Sequence, residues 1–425
     1  MYKKTFQGVV TLAVCALTLQ AHANGFSLNE QSASGAGTAF AGRASTALDS
    51  SVIYGNPAGL VKLERAEVSG GFGVIKPIMD ISKESSTAAG TNDGDSAPVA
   101  VVPFGFISSP ISEDFSVGLG LYAPFGLVND YESSFQGRYH GSYSEVKVAT
   151  LQPTISYRIN DFISVGGGIT INRIEGTLRN DLATAALNPT RRDTEIQIKG
   201  DDTAYGYNLG VMVDLSDSAT WGLTYHSKVR YTLEGHTTVS DSPAAFGLDG
   251  RYKTQMEVTL PESVDSSVTY RFDERWTGYL GATWTRWSRM KELLAENSGV
   301  PALGQSLGFG TIGEEMNWHD TLAMAIGASY QLNPQWVLRT GFAYDPSPTT
   351  NEHRSVRIPV GNRHTVTFGA GYSPSDDLTF DVAYAYLWES TAYIHQENET
   401  GLQPEYSSKY DNSAHGLTAQ LTYRF

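Results

Sequence analysis

The stretch that most constrains this chain is its last one. Leu417, Ala419, Leu421, Tyr423 and Phe425 alternate with Thr418, Gln420, Thr422 and Arg424. A pleated strand points successive side chains to opposite faces, so this stretch has one apolar face and one polar face. The same period of two recurs upstream. Leu378, Phe380, Val382, Tyr384 and Tyr386 alternate with Thr379, Asp381, Ala383 and Ala385, and Val366, Phe368, Ala370 and Tyr372 alternate with Thr365, Thr367, Gly369 and Gly371. Tyr207, Leu209, Val211 and Val213 alternate with Asn208, Gly210, Met212 and Asp214, while Leu322, Met324, Ile326 and Ala328 are separated by smaller residues. A soluble β-sandwich alternates in this way too. Two further features favour a barrel in a membrane. Trp276, Trp284, Trp287, Trp318, Trp336 and Trp388 lie at strand ends, where an interfacial girdle requires aromatic rings. Connections also alternate between short and long, the habit of outer-membrane barrels.

The short connections are Asn160-Asp161, Asp273-Glu274, Asn333-Pro334 and Ser375-Asp376-Asp377. The long ones are expected near 82–97, 128–143, 181–198, 235–250, 291–315, 346–361 and 396–410. These landmarks predict an all-β, antiparallel transmembrane barrel of about 14 strands over residues 66–425. No stretch holds 18 consecutive apolar residues, so no transmembrane helix is expected. Mean hydropathy is only −0.24, which a barrel allows because half of each strand faces away from lipid. The high glycine count of 43 and tyrosine count of 23 suit tight turns, crowded interiors and membrane interfaces.

Residues 1–23 read as a cleaved secretory signal. Lys3 and Lys4 form its basic start, Gly8 to Leu19 its apolar core, and Ala21-His22-Ala23 its cleavage site. Cys15, the single cysteine, falls inside it, so the mature chain would have no disulfide, thiol chemistry or cysteine-bound metal. The net charge of −15, with no basic stripe, argues against a nucleic-acid partner. Residues 24–65, rich in Gly, Ala and Ser, break the strand pattern. They read as a plug with short helices folded inside the barrel.

No G-x-S-x-G, H-E-x-x-H or P-loop pattern is present. The histidines are scattered, and Asn92-Asp93-Gly94-Asp95 reads as a solvated turn before a Ca²⁺ loop. No enzyme, cofactor or metal is therefore expected. An outer-membrane lipase-type enzyme, a general porin and an adhesin stay open as other classes.

The order of several short motifs resembles one family. Asn24-Gly25-Phe26-Ser27-Leu28-Asn29-Glu30, Ala39-Phe40-Ala41-Gly42, Asn56-Pro57-Ala58, Tyr122 to Leu127, Asp345-Pro346-Ser347-Pro348 and Arg357-Ile358-Pro359 are similar to the FadL/TodX family of outer-membrane transporters. The resemblance implies passive uptake of long-chain fatty acids, or of aromatic or aliphatic hydrocarbons. It implies a monomer in the outer membrane, set among lipid and lipopolysaccharide and inserted by the barrel-assembly machinery. Substrate would be captured in an apolar groove, pass a hatch, and leave sideways through a kinked third strand. Pro124, Phe125 and Gly126 would make the kink, since proline removes a ladder donor and glycine marks a bend. Asn56, Pro57 and Ala58 would lie against the kink and gate it, with Asn56 capping a helix started by Pro57. Phe26 and Leu28 would touch the substrate in the lumen. Trp287, Met290, Leu293 and Leu294 would form the apolar edge of a helix in a capture loop. Arg173, Arg179, Arg138 and Arg363 are candidate carboxylate partners, with Arg173 the one assigned to the lumen. Glu314 and Glu315 stand where a lysine would favour a carboxylate, which leaves a neutral substrate open.

Overall fold

A computed structural model describes residues 25–93, 96–397 and 401–425. The expected signal and its cleavage site, and Gly94 and Asp95 of the acidic turn, lie outside the described residues. Fourteen antiparallel strands close into a barrel. They are β1 (Glu67–Ser86), β2 (Ala100–Pro110), β3 (Phe115–Asp130), β4 (Tyr143–Arg158), β5 (Ile163–Leu182) and β6 (Thr194–Ser216). Next come four strands each built of two segments. They are β7 (Ala219–His226 and Val229–Ser240), β8 (Gly250–Leu260 and Ser263–Arg271), β9 (Trp276–Thr285 and Glu292–Ser298) and β10 (Thr311–Glu315 and Thr321–Asn333). The set ends with β11 (Trp336–Asp345), β12 (Arg363–Ser375), β13 (Leu378–Glu389 and Ala392–Gln396) and β14 (Tyr406–Arg424). The closing seam pairs β1 with β14, from Glu67 opposite Arg424 to Ser86 opposite Tyr406.

The alternation read in the sequence sorts the two faces. Leu417, Leu421, Phe380, Val382, Phe368 and Ile326 are exposed on the outside. Thr418, Gln420, Thr422, Asp381 and Thr367 are buried on the inside. With lipid on the outside, the apolar face meets hydrocarbon, and the ladders between neighbouring strands pair the backbone polar groups of most of the wall. No helix among the described residues is long and apolar enough to cross a membrane. Aromatic pairs ring the short-turn end, with Trp276 on Tyr330 at 4.7 Å, Trp336 on Tyr372 at 4.6 Å and Tyr423 on Phe425 at 5.1 Å between centroids.

Three sequence expectations change. The stretch 291–315 is not one long loop, because Glu292–Ser298 and Thr311–Glu315 form a hairpin that extends the wall, with the short helix Ala302–Ser306 at its tip. The apolar edge expected on a helix there is absent. Only Trp287–Arg289 makes a single 3₁₀ turn, and Leu293 and Leu294 are neighbours on a strand, whose side chains diverge. Trp287 and Trp318 are not girdle residues, since both are buried and turned inward.

Residues 25–66 precede β1 and lie against the inner wall. Their helices are short: α1 (Ala33–Ala36), α2 (Val52–Gly55) and a 3₁₀ turn, Pro57–Lys62. Inward polar side chains of the wall take up their backbone groups. Ala33 N donates to Gln420 Oε1 at 2.9 Å, Ala44 N to Ser267 Oγ at 3.0 Å, and Thr367 Oγ1 to the Gly37 carbonyl at 3.0 Å. Thr224, Gln152 and Ser156 donate to the carbonyls of Gly55, Ile53 and Ala58. Glycines let the two backbones touch. A Cβ on Gly222 would sit 1.7 Å from the Ala44 carbonyl, and one on Gly210 1.9 Å from Asn56 Oδ1. This is why the lumenal face is rich in small and polar residues: it is a seat for folded chain.

Candidate functional site

The third strand breaks where the sequence places Pro124 and Gly126. Its pairing with β4 shifts register between Tyr122 and Phe125, leaving Ala123 and Pro124 without opposite residues. On its other edge, β3 pairs with β2 only from Pro110 opposite Ser116 to Gly105 opposite Leu121. Beyond that, Ala100 to Phe104 of β2 pair with β1 alone. Pro103, which a continued ladder would set opposite Ala123, has no N–H to give. A window thus opens between β2 and β3, bounded above by a 2.6 Å hydrogen bond from Asp130 N to the Ser96 carbonyl.

The start of the described chain occupies the inner side of this window. Leu28 N donates to the Pro124 carbonyl at 2.9 Å, and Gly126 N donates to the Phe26 carbonyl at 3.0 Å. Gln31 Nε2 donates to the Ala123 carbonyl at 2.9 Å, and Ser27 bridges Phe125 as an added antiparallel strand. Three of the β3 groups beside the break, the carbonyls of Ala123 and Pro124 and the N–H of Gly126, are therefore satisfied by residues 26–31. The Leu28 side chain packs over Gly126, its Cδ1 2.9 Å from where a Cβ would stand. The Phe26 ring packs on Phe125 (5.8 Å), Trp287 (5.4 Å) and Trp318 (6.1 Å). Trp287 is fully buried and Met290 is 3% exposed.

A cavity of about 1090 Å³ runs along this window. Its inner wall includes Phe26, Leu28, Glu30, Phe40 and Arg363, and its outer wall includes Val99, Val101, Leu121 and Lys147. The lining is mostly apolar. The size lies just above the roughly 300–1,000 Å³ of small-molecule sites. Arg363 is bound to Glu389, whose Oε1 is 3.1 Å from Nη2. Glu30 Oε2 accepts from Asn29 N at 2.9 Å, and burial pushes its carboxyl above its ordinary value of 4.5.

Several candidates stand elsewhere than expected. Arg173 is on the outer face of β5, half exposed and paired to Asp201 at 2.6 Å, because its strand turns the neighbouring Asn172 and Ile174 inward. It meets the cavity at the outer mouth and not in the lumen. Arg138 is held by Asp181 and Asp193, and Arg179 lies near Asp130 and Glu195. Neither lines the cavity. Asn56 caps the 3₁₀ turn, its Oδ1 accepting from Ala58 N at 3.1 Å, with Pro57 at the first helical position. Asn56–Pro57–Ala58 does not lie against the kink, however. Asn56 Nδ2 donates to the carbonyls of Ala44 and Val211, and Pro57 sits over Gly166, which fixes the segment on β5 and β6. Residues 26–31 hold the kink instead. Leu293 packs beneath the loops beside this aromatic cluster, while Leu294 is 36% exposed. Sequence reading missed Trp318 as a partner of Phe26, and nothing local marks it. It also missed Ala100 to Phe104 as the facing edge, although Pro98 and Pro103 were available as signals.

A closed barrel with an apolar outside, a lumen filled by its own leading segment and a breach in one wall define an outer-membrane transport barrel. The chain belongs to the outer membrane protein transport protein family (OMPP1/FadL/TodX), whose pattern matches residues 14–425. A "Long-chain fatty acid transport protein" of Escherichia coli O6:H1 is 28% identical over 421 residues, covering 91% of this chain and 92% of that relative. A Pseudomonas aeruginosa FadL homologue of known structure has a TM-score of 0.86 at 24% identity, covering 95% of this chain and 100% of that one. The Ralstonia pickettii toluene transporter TbuX has a TM-score of 0.65 at 19% identity, covering 90% of this chain and 95% of that one. The family is one of transporters and channels, not of enzymes.

Proposed function

We propose that this chain takes up long-chain fatty acids or related hydrophobic compounds passively and delivers them sideways through the window between β2 and β3. One observation carries the reading. A single apolar cavity has lumenal residues (Phe26, Leu28, Phe40) on one side and outward residues (Val99, Val101, Leu121) on the other. A tail gains about 0.8 kcal/mol for each CH₂ it buries, so an apolar route ending in lipid is favoured over a water-filled bore. Residues 24–65 act as the hatch and residues 66–425 as the barrel. Withdrawal of residues 26–31 from Pro124–Gly126 opens the inner side. Asn56, Pro57 and Ala58 anchor the half of the hatch that stays. Trp287 backs Phe26 and Phe125, which line the cavity, with Met290 in the same apolar cluster, and Leu293 and Leu294 belong to the hairpin over which substrate arrives. The working unit is a monomer among lipid and lipopolysaccharide, inserted by the barrel-assembly machinery.

The breach is testable by filling it. Ala123→Trp, expressed in a strain deleted for this protein, is expected to lower uptake of radiolabelled oleate by roughly tenfold, equivalent to about 1.4 kcal/mol on the passage barrier. The folded barrel, followed by its heat-modifiable mobility on gels, should persist. Undiminished uptake with the side chain in place would exclude this exit. Growth of the same strain on oleate and on aromatic hydrocarbons separates the two substrate classes.

A further inference from the structure

The charges that line the cavity select the head group, an inference that rests on the uptake proposed above. Three cations border the cavity: Lys147, Arg173 and Arg363. Each is already paired. Lys147 Nζ is 2.5 Å from Glu145 Oε1, Arg173 Nη2 is 2.6 Å from Asp201 Oδ2, and Arg363 Nη2 is 3.1 Å from Glu389 Oε1. Five carboxylates share the lining: Glu30, Glu145, Glu175, Asp345 and Glu389. At the inner end, Arg363 is within electrostatic reach of Glu389, Asp345 and Glu30 together. Glu389 is fixed by Gly361 N and Asn412 Nδ2 as well, so it does not yield Arg363 readily. Arg43, the other cation near Glu30, donates to Asn29 and lies 3.7 Å from Asp265. Among the described residues no cation is within 4.0 Å of the Glu30 carboxylate, which borders the cavity beside Phe26 and Leu28.

At the inner end of the cavity an incoming carboxylate anion would shed water and meet Glu30, Asp345 and Glu389 against one lining cation, Arg363, which Glu389 already holds. Burying such a charge is far more costly than burying a neutral polar head that finds one hydrogen bond. We propose that the cavity admits long-chain compounds with a neutral head group, the protonated fatty acid or the alcohol, and that Glu30 and Glu389 are the residues that exclude the anion. Glu30 does so by its charge alone. Glu389 does so by keeping Arg363 occupied.

The test compares 1-dodecanol with dodecanoate at pH 8, below their aggregation limits, by equilibrium binding to the purified full-length protein at one fixed maltoside concentration. Dodecanol is expected to bind at least about tenfold more tightly. The decisive readout is the ratio of the two affinities in the variants Glu389→Gln and Glu30→Gln. Each should raise dodecanoate affinity by about tenfold and leave dodecanol within about twofold, since only the anion feels the change in charge. Dodecanoate binding as tightly as dodecanol to the natural protein overturns the inference, and so does an unchanged ratio in both folded variants. Should one variant not assemble, the natural protein and the other variant still decide. Binding of neither ligand would instead overturn the hydrophobic-uptake reading itself.

Discussion

Two seams of the same barrel behave in opposite ways. Between β1 and β14 the ladder runs from Glu67 to Ser86 with one irregularity, near Ser82. Between β2 and β3 it stops at Gly105–Leu121, although β3 continues to Asp130. Both seams have an exposed apolar outside and a buried inside. The difference lies in backbone donors. The first seam carries a proline only at Pro77, and its alternation holds to the end of the chain. The second faces Pro103 toward a strand that carries Pro124 and Gly126. A ladder that loses its donors on both edges cannot close, and the orphaned groups take the nearest partner. That partner is Phe26 to Gln31. The comparison teaches that the break and the segment covering it go together: where the β2–β3 ladder stops, residues 26–31 pair with β3 from inside.

The leading segment inside the barrel divides along the same line. Its later part, from Ala33 to Lys62, is seated on glycines and polar side chains of the wall. Its first part rests on a broken strand and an aromatic cluster. Trp287→Ala should have the largest effect, because it removes the fully buried ring over Phe26. A Trp→Ala change in a packed site costs about 3–5 kcal/mol. Hydrogen exchange should show residues 25–31 exchanging faster while residues 44–60 hold. Trp276→Ala, on the lipid-facing belt, is the control and should leave both alone. Equal loosening of both parts in Trp287→Ala would end the division.

Gly210→Ala tests the other part. Its Cβ would fall on Asn56 Oδ1, unseating the cap and stranding the Ala44 and Val211 carbonyls. Leaving such groups unsatisfied costs about 1–3 kcal/mol. Protease access near residues 44–60 should rise, with the β3 window undisturbed. Gly105→Ala, whose Cβ would meet nothing within 4 Å, should be silent.

The smallest effect is on pH. Glu30 has its carboxyl raised from 4.5 by burial, an effect partly opposed by Asn29 and by the charges of Arg363 and Arg43. A raised acid favours the folded state while protonated. Its stabilisation is complete below 4.5 and is lost as pH climbs through the raised value. The protection of residues 25–31, corrected for the intrinsic pH dependence of amide exchange, should therefore be higher at pH 4 than at pH 8, and Glu30→Gln should flatten that slope. A slope unaltered by the substitution would place its origin elsewhere.

Much of this molecule was legible in advance. Period-two alternation fixes which side chains meet lipid, because a pleat leaves no other choice once one face is apolar. It also identified Leu417–Phe425 and Leu378–Tyr386 as wall. The kink was legible because proline and glycine act on the backbone locally, whatever surrounds them. Helix capping at Asn56 was legible for the same reason. Other features were not. Arg173 falls outside the lumen because strand parity is set by its neighbours' burial, which its own charge does not reveal. Leu293 and Leu294 join a strand because Thr311–Glu315 offers them a ladder on one side, and Gly250–Leu260 pairs with residues 295–298 that follow, which overrides a helical pattern.

What the sequence alone determined, then, is every property with a range of a few residues: faces, turns, breaks and caps. What only the tertiary structure decided is which distant residues fill the break. Phe26 meets Phe125, Trp287 and Trp318 because closing the barrel around the leading segment brings together residues far apart in the chain. No local rule encodes those meetings, since each depends on the circumference of the whole wall and on the chain folded within it.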